Sequence, residues 1–360
     1  MSVTLRVDAA RWRSHLDRTI AANPGLVPVI KGNGYGFGLD VLLAEATRLH
    51  GSAGVSQIAV GTYAEARLAL SAYPGDVLVL EPYRAIFHAD LPHLGDHALI
   101  HNVVTAADAT DLGRRTAKRG RPRVLVEGLA SMNRFGVPFD EMGAILAHCS
   151  SQDRGSSEGA AVDLVDLVGA SLHLPLGDGH LAEVTRWVDA FDASRWYLSH
   201  TTPGELASLK TRSPAIDFRP RIGTSLWLGD LGALSVRADV LAARSVAAGD
   251  RAGYRQRKLR AGTLVVVSGG TAHGVALEAP SAATTPRQRA IVVAEGVMEA
   301  AGRVRSPFTI SGRATWFVEP PHMQVSLLSL PEGVTPPAVG DEVEVRVRHT
   351  TLHADAVVLV

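Results

Sequence analysis

A single cysteine, Cys149, in 360 residues excludes an internal disulfide framework and suits a reducing compartment. No apolar run approaches the length needed to span a bilayer. There is no long basic run either, and 36 basic side chains are matched by 36 acidic ones, which argues against nucleic acid as a main partner. The stretch 1–13 is too polar and charged for a secretory signal. These absences predict a soluble, cytoplasmic protein with neither membrane nor nucleic acid as partner. What the chain has is apolar mass: 46% hydrophobic residues over this length suffice for one large domain plus a smaller one.

Through the first two-thirds, short apolar runs rich in β-formers alternate with helical patterns. The strands expected are 26–30, 58–60, 77–80, 98–101, 123–127, 167–174, 196–200 and 222–228. Helical patterns fall at 39–49, 63–72, 106–119, 140–148, 181–191 and 203–210. Continuous rather than alternating hydrophobicity reads as buried parallel strands, and eight of them predict a (β/α)8 TIM barrel over residues 1–230. From about residue 230, Val, Thr, Gly and Pro dominate. Runs at 263–267, 289–293, 323–328 and 342–347 predict a separate C-terminal β domain over 231–360. Segments 150–159 and 279–288 read as loops. In a barrel of this kind chemistry sits where strands end, and Lys31, Glu127, His173 and His200 all fall at or near such ends.

The most informative stretch is the strand leading into Lys31-Gly32-Asn33-Gly34-Tyr35-Gly36-Phe37-Gly38. A lysine that closes a buried strand is costly to desolvate, so its pKa falls and its amine becomes nucleophilic, as a Schiff-base lysine requires. Glycines just after it let the backbone approach a ligand closely.

Barrel, strand-end lysine and β domain in this order resemble the alanine racemase family, which uses pyridoxal phosphate (PLP). The resemblance covers nearly the whole chain. It implies that Lys31 stands at the lysine of K-x-N-A-Y-G-H-G that holds PLP as an aldimine. Tyr35 matches the tyrosine that reaches the cofactor phosphate, and Phe37 replaces the motif's histidine. The segment from Glu127 to Gly136 is similar to K-x-D-T-G-M-x-R-L-G, so Arg134 would lie near the PLP phenolic oxygen and the substrate carboxylate, where a guanidinium fork fits well. Glu127 takes the place of a lysine carbamylated in many members, supplying a carboxylate directly. His173 and His200 match histidines near the cofactor ring. Arg221-Ile222-Gly223-Thr224 resembles R-P-G-I, which places Arg221 against the pyridine nitrogen and the Gly223 and Thr224 amides against the phosphate. Arg219 competes with Arg221 for the pyridine contact. The family's phosphate-binding serine is missing, with Thr201 or Thr202 as stand-ins.

An arginine gives no proton to a pyridine nitrogen, so the ring stays a weak electron sink. That favours racemisation over the decarboxylation run by relatives with an acid at this position. Racemisation needs proton exchange on both faces of Cα. The family draws its second proton carrier from a tyrosine of the partner's β domain, which makes the expected assembly a homodimer. Here Thr271 stands at that tyrosine's position, and His273, two residues on, becomes the candidate. The reading is thus a PLP-dependent amino-acid racemase with Lys31, Arg134 and His273 as its acting residues. The alternatives are one-face chemistry on PLP, such as elimination or decarboxylation, or a lapsed binding or regulatory module. His322, His349 and His353 are not expected to bind metal, since no Cys lies near them.

Overall fold

The computed structural model describes residues 2–150, 164–277, 285–287, 289–290, 293, 296 and 304–360. Contacts divide the chain into two units, one of Arg13–Gly32 and Leu39–Gly229, the other of Met1–Trp12, Asn33–Gly38 and Asp230–Val360.

The first unit is a closed parallel barrel of eight strands. In chain order they are β2 (Val27–Ile30), β3 (Gln57–Val60), β4 (Asp76–Pro82), β5 (Leu99–Val103), β6 (Arg123–Gly128), β7 (Asp166–Leu172), β8 (Arg195–Ser199) and β9 (Asp217–Ile222), counting from an earlier strand, β1 (Val3–Val7). Closure comes from β2, which pairs with β3 on one side and with β9 on the other, Val27 opposite Arg221 and Pro28 opposite Ile222. Val27, Val29, Ala59, Leu78, Ile100, Leu125 and Tyr197 fill the interior. Their near-complete burial explains why the strands read as apolar runs rather than as alternating ones.

Helices return the chain between strands. After α1 (Ala9–Ala22), α2 (Leu39–Ala53) and α3 (Tyr63–Ala72) come α4 (Ala85–His88), α5 (Ala106–Thr116), α6 (Phe139–Ser150), α7 (Leu181–Ala190), α8 (Pro203–Arg212) and α9 (Thr224–Trp227). Thr62 opens α3 and Thr202 opens α8, each through a capping box closed by the glutamate three residues on. Where the strands begin, Asp76 takes two hydrogen bonds from Arg123 (2.6 and 2.8 Å), and Asp217 accepts from Arg195 and Arg219. These pairs close the barrel's N-terminal end and leave chemistry to the other end.

The second unit holds an eight-stranded sheet in the order β13-β16-β15-β14-β17-β10-β1-β18. Its members beyond β1 are β10 (Leu234–Val246), β13 (Gly262–Ser268), β14 (Arg305–Ile310), β15 (Arg313–Phe317), β16 (Val325–Pro331), β17 (Glu342–Val345) and β18 (Ala356–Leu359), while β11 (Arg251–Ala252) and β12 (Arg257–Lys258) form a separate hairpin. Strand β1 lies antiparallel to β10 and parallel to β18. The first strand of the chain is therefore a member of this sheet, and a single cut at residue 230 does not describe it.

Two further expectations are corrected. The apolar run 222–228 is not a strand: the last barrel strand is β9, and Leu226 and Trp227 are buried on the one-turn helix α9. In the run 289–293, Arg289, Ala290 and Val293 are helical and the other two residues lie outside the described ones. The expected loops 150–159 and 279–288 also lie largely outside them. Among the described residues no helix is long and apolar enough to cross a membrane.

Candidate active site

At the C-terminal end of the barrel a cavity of about 130 Å³ is lined by Lys31, Glu81, Glu127, Arg134, His173 and Arg221, with Gly61, Leu80 and Phe135 completing its wall. Each polar member comes from a strand end or the loop just past it, which is why residues scattered over the sequence converge there.

Lys31 follows β2 directly, and its backbone is pinned from outside. The Glu65 carboxylate accepts the N–H groups of Gly32 (2.6 Å), Gly61 (2.6 Å) and Thr62 (3.0 Å), tying the ends of β2 and β3 together. A Cβ on Gly61 would lie 2.9 Å from Glu65 Oε2 and 3.1 Å from Lys31 Cβ, so the close approach needs glycine. Lys31 is open to solvent at the mouth. Its pKa is nonetheless lowered, first by desolvation among the strand ends and then by Arg134 and Arg221, with Glu65 opposing.

Glu127 is 2% exposed and accepts a short hydrogen bond from Asn102 Nδ2, which also donates to Leu80 O (3.0 Å). Burial raises its pKa, while Arg221, Asn102 and Arg134 work the other way. Arg221 is buried on β9 and donates through one terminal nitrogen to Leu172 O (3.1 Å), but its Nε–H has no partner. The competing Arg219 is held by Asp217 at 2.8 Å, so of the two β9 arginines it is Arg221 that lines the cavity. Arg134 lies over the ring of Phe135, 4.2 Å from its centroid.

His173 Nδ1 lies 2.9 Å from Ser199 Oγ, and the His173 and His200 rings meet edge to face at 5.5 Å. Desolvation first, then Arg221 and Arg134, bring His173 down to about 3, so it is neutral. His200, in the left-handed region at φ 57°, is likewise lowered, by desolvation and then by His180. Of the two threonines considered as serine substitutes, Thr202 is committed to capping α8, whereas Thr201 Oγ1 is buried without a partner. Gly223 N-caps α9 and its carbonyl accepts the Leu226 and Trp227 N–H groups (both 3.0 Å), while the N–H groups of Thr224 and Ser225 precede the first intrahelical bond.

Two expected site residues belong to the second unit. Tyr35 is buried at φ 54° in the turn Gly34–Gly36, a turn anchored by Asn33 Nδ2 donating to the carbonyls of His349 and Leu352. His273 is 9% exposed with both ring nitrogens engaged: Nδ1 accepts from Gly270 N–H (3.3 Å) and Nε2 sits 3.2 Å from Asp355. Asp355 also accepts the Val3 N–H (2.7 Å), so His273 helps anchor β1 rather than standing as a free acid or base. Among the described residues no three His, Cys, Asp or Glu side chains converge as metal ligands do.

Sequence reasoning missed Glu65, Glu81 and Asn102. The strand-end rule that pointed to Glu127 also points to Glu81 on β4 and Asn102 on β5. Glu65 leaves no such signal, because its contact to Gly32 crosses 33 positions.

The residues present fit the ring and aldehyde of PLP. The cavity is of the order that admits one six-membered ring. Lys31 supplies an amine of lowered pKa, and the unpaired Arg221 Nε–H is a buried donor facing no acceptor, which a pyridine nitrogen would provide.

A family model described as "Alanine racemase, N-terminal domain" matches residues 7–205. No curated protein sequence matches the chain. Among solved structures, the alanine racemase of Bartonella henselae with covalently bound pyridoxal phosphate is similar at 17% identity and TM-score 0.68, over 100% of both chains. The alanine racemase of Clostridium difficile 630 is similar at 15% identity and TM-score 0.67, over 96% of this chain and 86% of that one. The biosynthetic alanine racemase of Pseudomonas aeruginosa gives 20% identity and TM-score 0.60, over 97% and 91%.

Proposed function

Since the chain belongs to the alanine racemase family, we propose that it is a PLP-dependent racemase of a free α-amino acid, with Lys31 as the cofactor-bearing lysine. The observation that carries this is the convergence of Lys31, Arg134 and Arg221 with the carboxylate of Glu127 on one cavity at the barrel's C-terminal end. When bound, PLP supplies an electrophilic aldehyde and a ring that accepts the electron pair left at Cα.

Every other role falls to the chain's own residues. Lys31, with its lowered pKa, takes a proton at Cα on one face. Arg134 orients the substrate carboxylate through its planar fork. Arg221 would hold the pyridine nitrogen by a hydrogen bond that it could not convert into proton transfer, because a guanidinium keeps its protons. That leaves the ring a weak sink and favours return of a proton to the same carbon. Glu127, held by Asn102, places a buried carboxyl group beside the Arg134 and Arg221 guanidinium groups. His173 is neutral and meets His200 edge to face, lining the cavity without adding charge. Gly223 and Thr224 offer backbone N–H groups to the phosphate. The assembly proposed is a homodimer.

The test is spectroscopic and isotopic. Purified protein given PLP should show a visible band abolished by borohydride, and a panel of L- and D-amino acids in D2O should exchange Cα–H in both enantiomers of at least one member. Lys31→Ala should remove the band entirely. A band that survives in that variant refutes the role of Lys31.

A further inference from the structure

The racemase reading needs a proton carrier on each face of Cα, and the cavity wall offers few. Arginines do not release protons at accessible pH. His173 is held in place, Nδ1 at 2.9 Å from Ser199 Oγ and its ring edge to face with His200. Glu127 is buried and already bonded by Asn102. In the second unit Thr271 is too weak an acid and His273 is occupied. Besides Lys31, that leaves Glu81.

Glu81 sits near the end of β4, and its side chain is one-third exposed (33%), so it meets both the cavity and water. Oε1 accepts the Tyr63 N–H at the start of α3 (2.7 Å) and lies 3.6 Å from His88 Nε2, while Oε2 has no protein partner among the described residues. The tautomer of His88 is set by its other nitrogen. Nδ1 accepts the Arg84 backbone N–H (3.0 Å), a group that can only donate, so the ring proton is on Nε2, facing Glu81. His88 in turn packs on the Tyr63 ring at 4.5 Å between centroids. Tyr63 is fixed by its hydroxyl on His101 Nδ1 (2.9 Å), and His101 by Nε2–H on Leu94 O (3.0 Å). A rigid neutral array thus stands behind one free carboxylate oxygen at the site.

Resting on the racemase reading, we propose that Glu81 is the second proton carrier of this site and that His88 positions it. In one direction Lys31 as free amine takes H+ from Cα and the Glu81 carboxyl, starting protonated, gives H+ to the opposite face; in the other the Glu81 carboxylate takes H+ and the Lys31 ammonium gives it. Each then returns to its starting state by exchange with water, so no proton is consumed overall.

The experiment tracks Cα–H exchange of each enantiomer in D2O by NMR, in the PLP-loaded full-length protein, for wild type, Glu81→Gln and His88→Gln. Glutamine keeps an acceptor for the Tyr63 N–H, so the fold and the borohydride-sensitive band should persist in Glu81→Gln. Exchange of one enantiomer should fall at least 100-fold while the other keeps its rate. His88→Gln should lower the same enantiomer's rate about tenfold and spare the other, a split that a general loss of structure does not give. Unchanged exchange of both enantiomers in Glu81→Gln overturns the proposal alone. A change of preferred amino acid with both faces equally affected overturns it too, and makes Glu81 a substrate contact. A wild type with no band, or with no Cα exchange, overturns the racemase reading and this proposal with it.

Discussion

Lys31 differs from the other lysines, Lys118, Lys210 and Lys258, in where it stands. Desolvation and two guanidinium groups lower its pKa from the ordinary 10.5. At any pH between the lowered value and the ordinary one, a larger fraction of Lys31 is free amine, and the advantage disappears once ordinary lysines also deprotonate. Cofactor-free protein treated with an amine-acylating reagent at neutral pH should therefore label Lys31 first, as read by peptide mass mapping. Arg134→Met removes one of the charges that lower the pKa and should slow that labelling. Equal labelling of all four lysines contradicts the electrostatics argued for the site.

Among the elements, those flagged by local chemistry were the most legible. Helix α3 coincides with its expected bounds because Thr62 and Glu65 form a capping box at its start and the apolar period fixes its face. The site's strand-end residues were readable because barrel topology puts strand ends together. The last barrel strand was not readable, because β9 carries Arg219-Pro220-Arg221 and looks polar. The apolar run after it owes its character to Trp227, which is buried on α9 with its indole N–H donating to Val29 O (2.7 Å). Local hydrophobicity does not distinguish a strand from one buried helical turn. The tie from Glu65 to Gly32 was invisible for a different reason: the capping box marks Glu65 at the start of α3, but nothing local marks a contact 33 positions away.

Helix α8 yields a prediction on its own scale. Burial works to raise the Glu205 pKa, but hydrogen bonds from Thr202 N–H, Thr202 Oγ1 and His180 N–H outweigh it and hold the carboxyl below its ordinary range. Its folded pKa is thus depressed relative to the unfolded chain. The stabilisation is fully present above the unfolded carboxylate pKa, about 4.3, and is lost as pH falls through the lower folded value. Glu205→Gln should flatten that part of the acid limb of stability against pH, measured by denaturant unfolding. An unaltered acid limb refutes the cap's electrostatic contribution.

On the scale of the whole molecule, the sheet unit depends on residues from both extremes of the chain. Val3, Leu5 and Val7 are fully buried in β1, which lies between β10 and β18. Leu5→Ala should cost about 2–5 kcal/mol, a large part of an ordinary domain's stability. Amide hydrogen exchange should then speed up in β10 and β18 together, since both hydrogen-bond to the weakened strand. Faster exchange confined to β1 itself would mean that the sheet does not open as one unit.

Placing β1 between two late strands also imposes an order on biosynthesis. Residues 3–7 leave the ribosome before their partners in β10 and β18, which come some 230 and 350 positions later. At roughly 5–20 residues per second, an unpaired apolar tail persists for on the order of ten seconds or more on the nascent polypeptide. Throughout that interval the emerging β1 segment is adhesive, open to chaperones and to neighbouring chains on the same message.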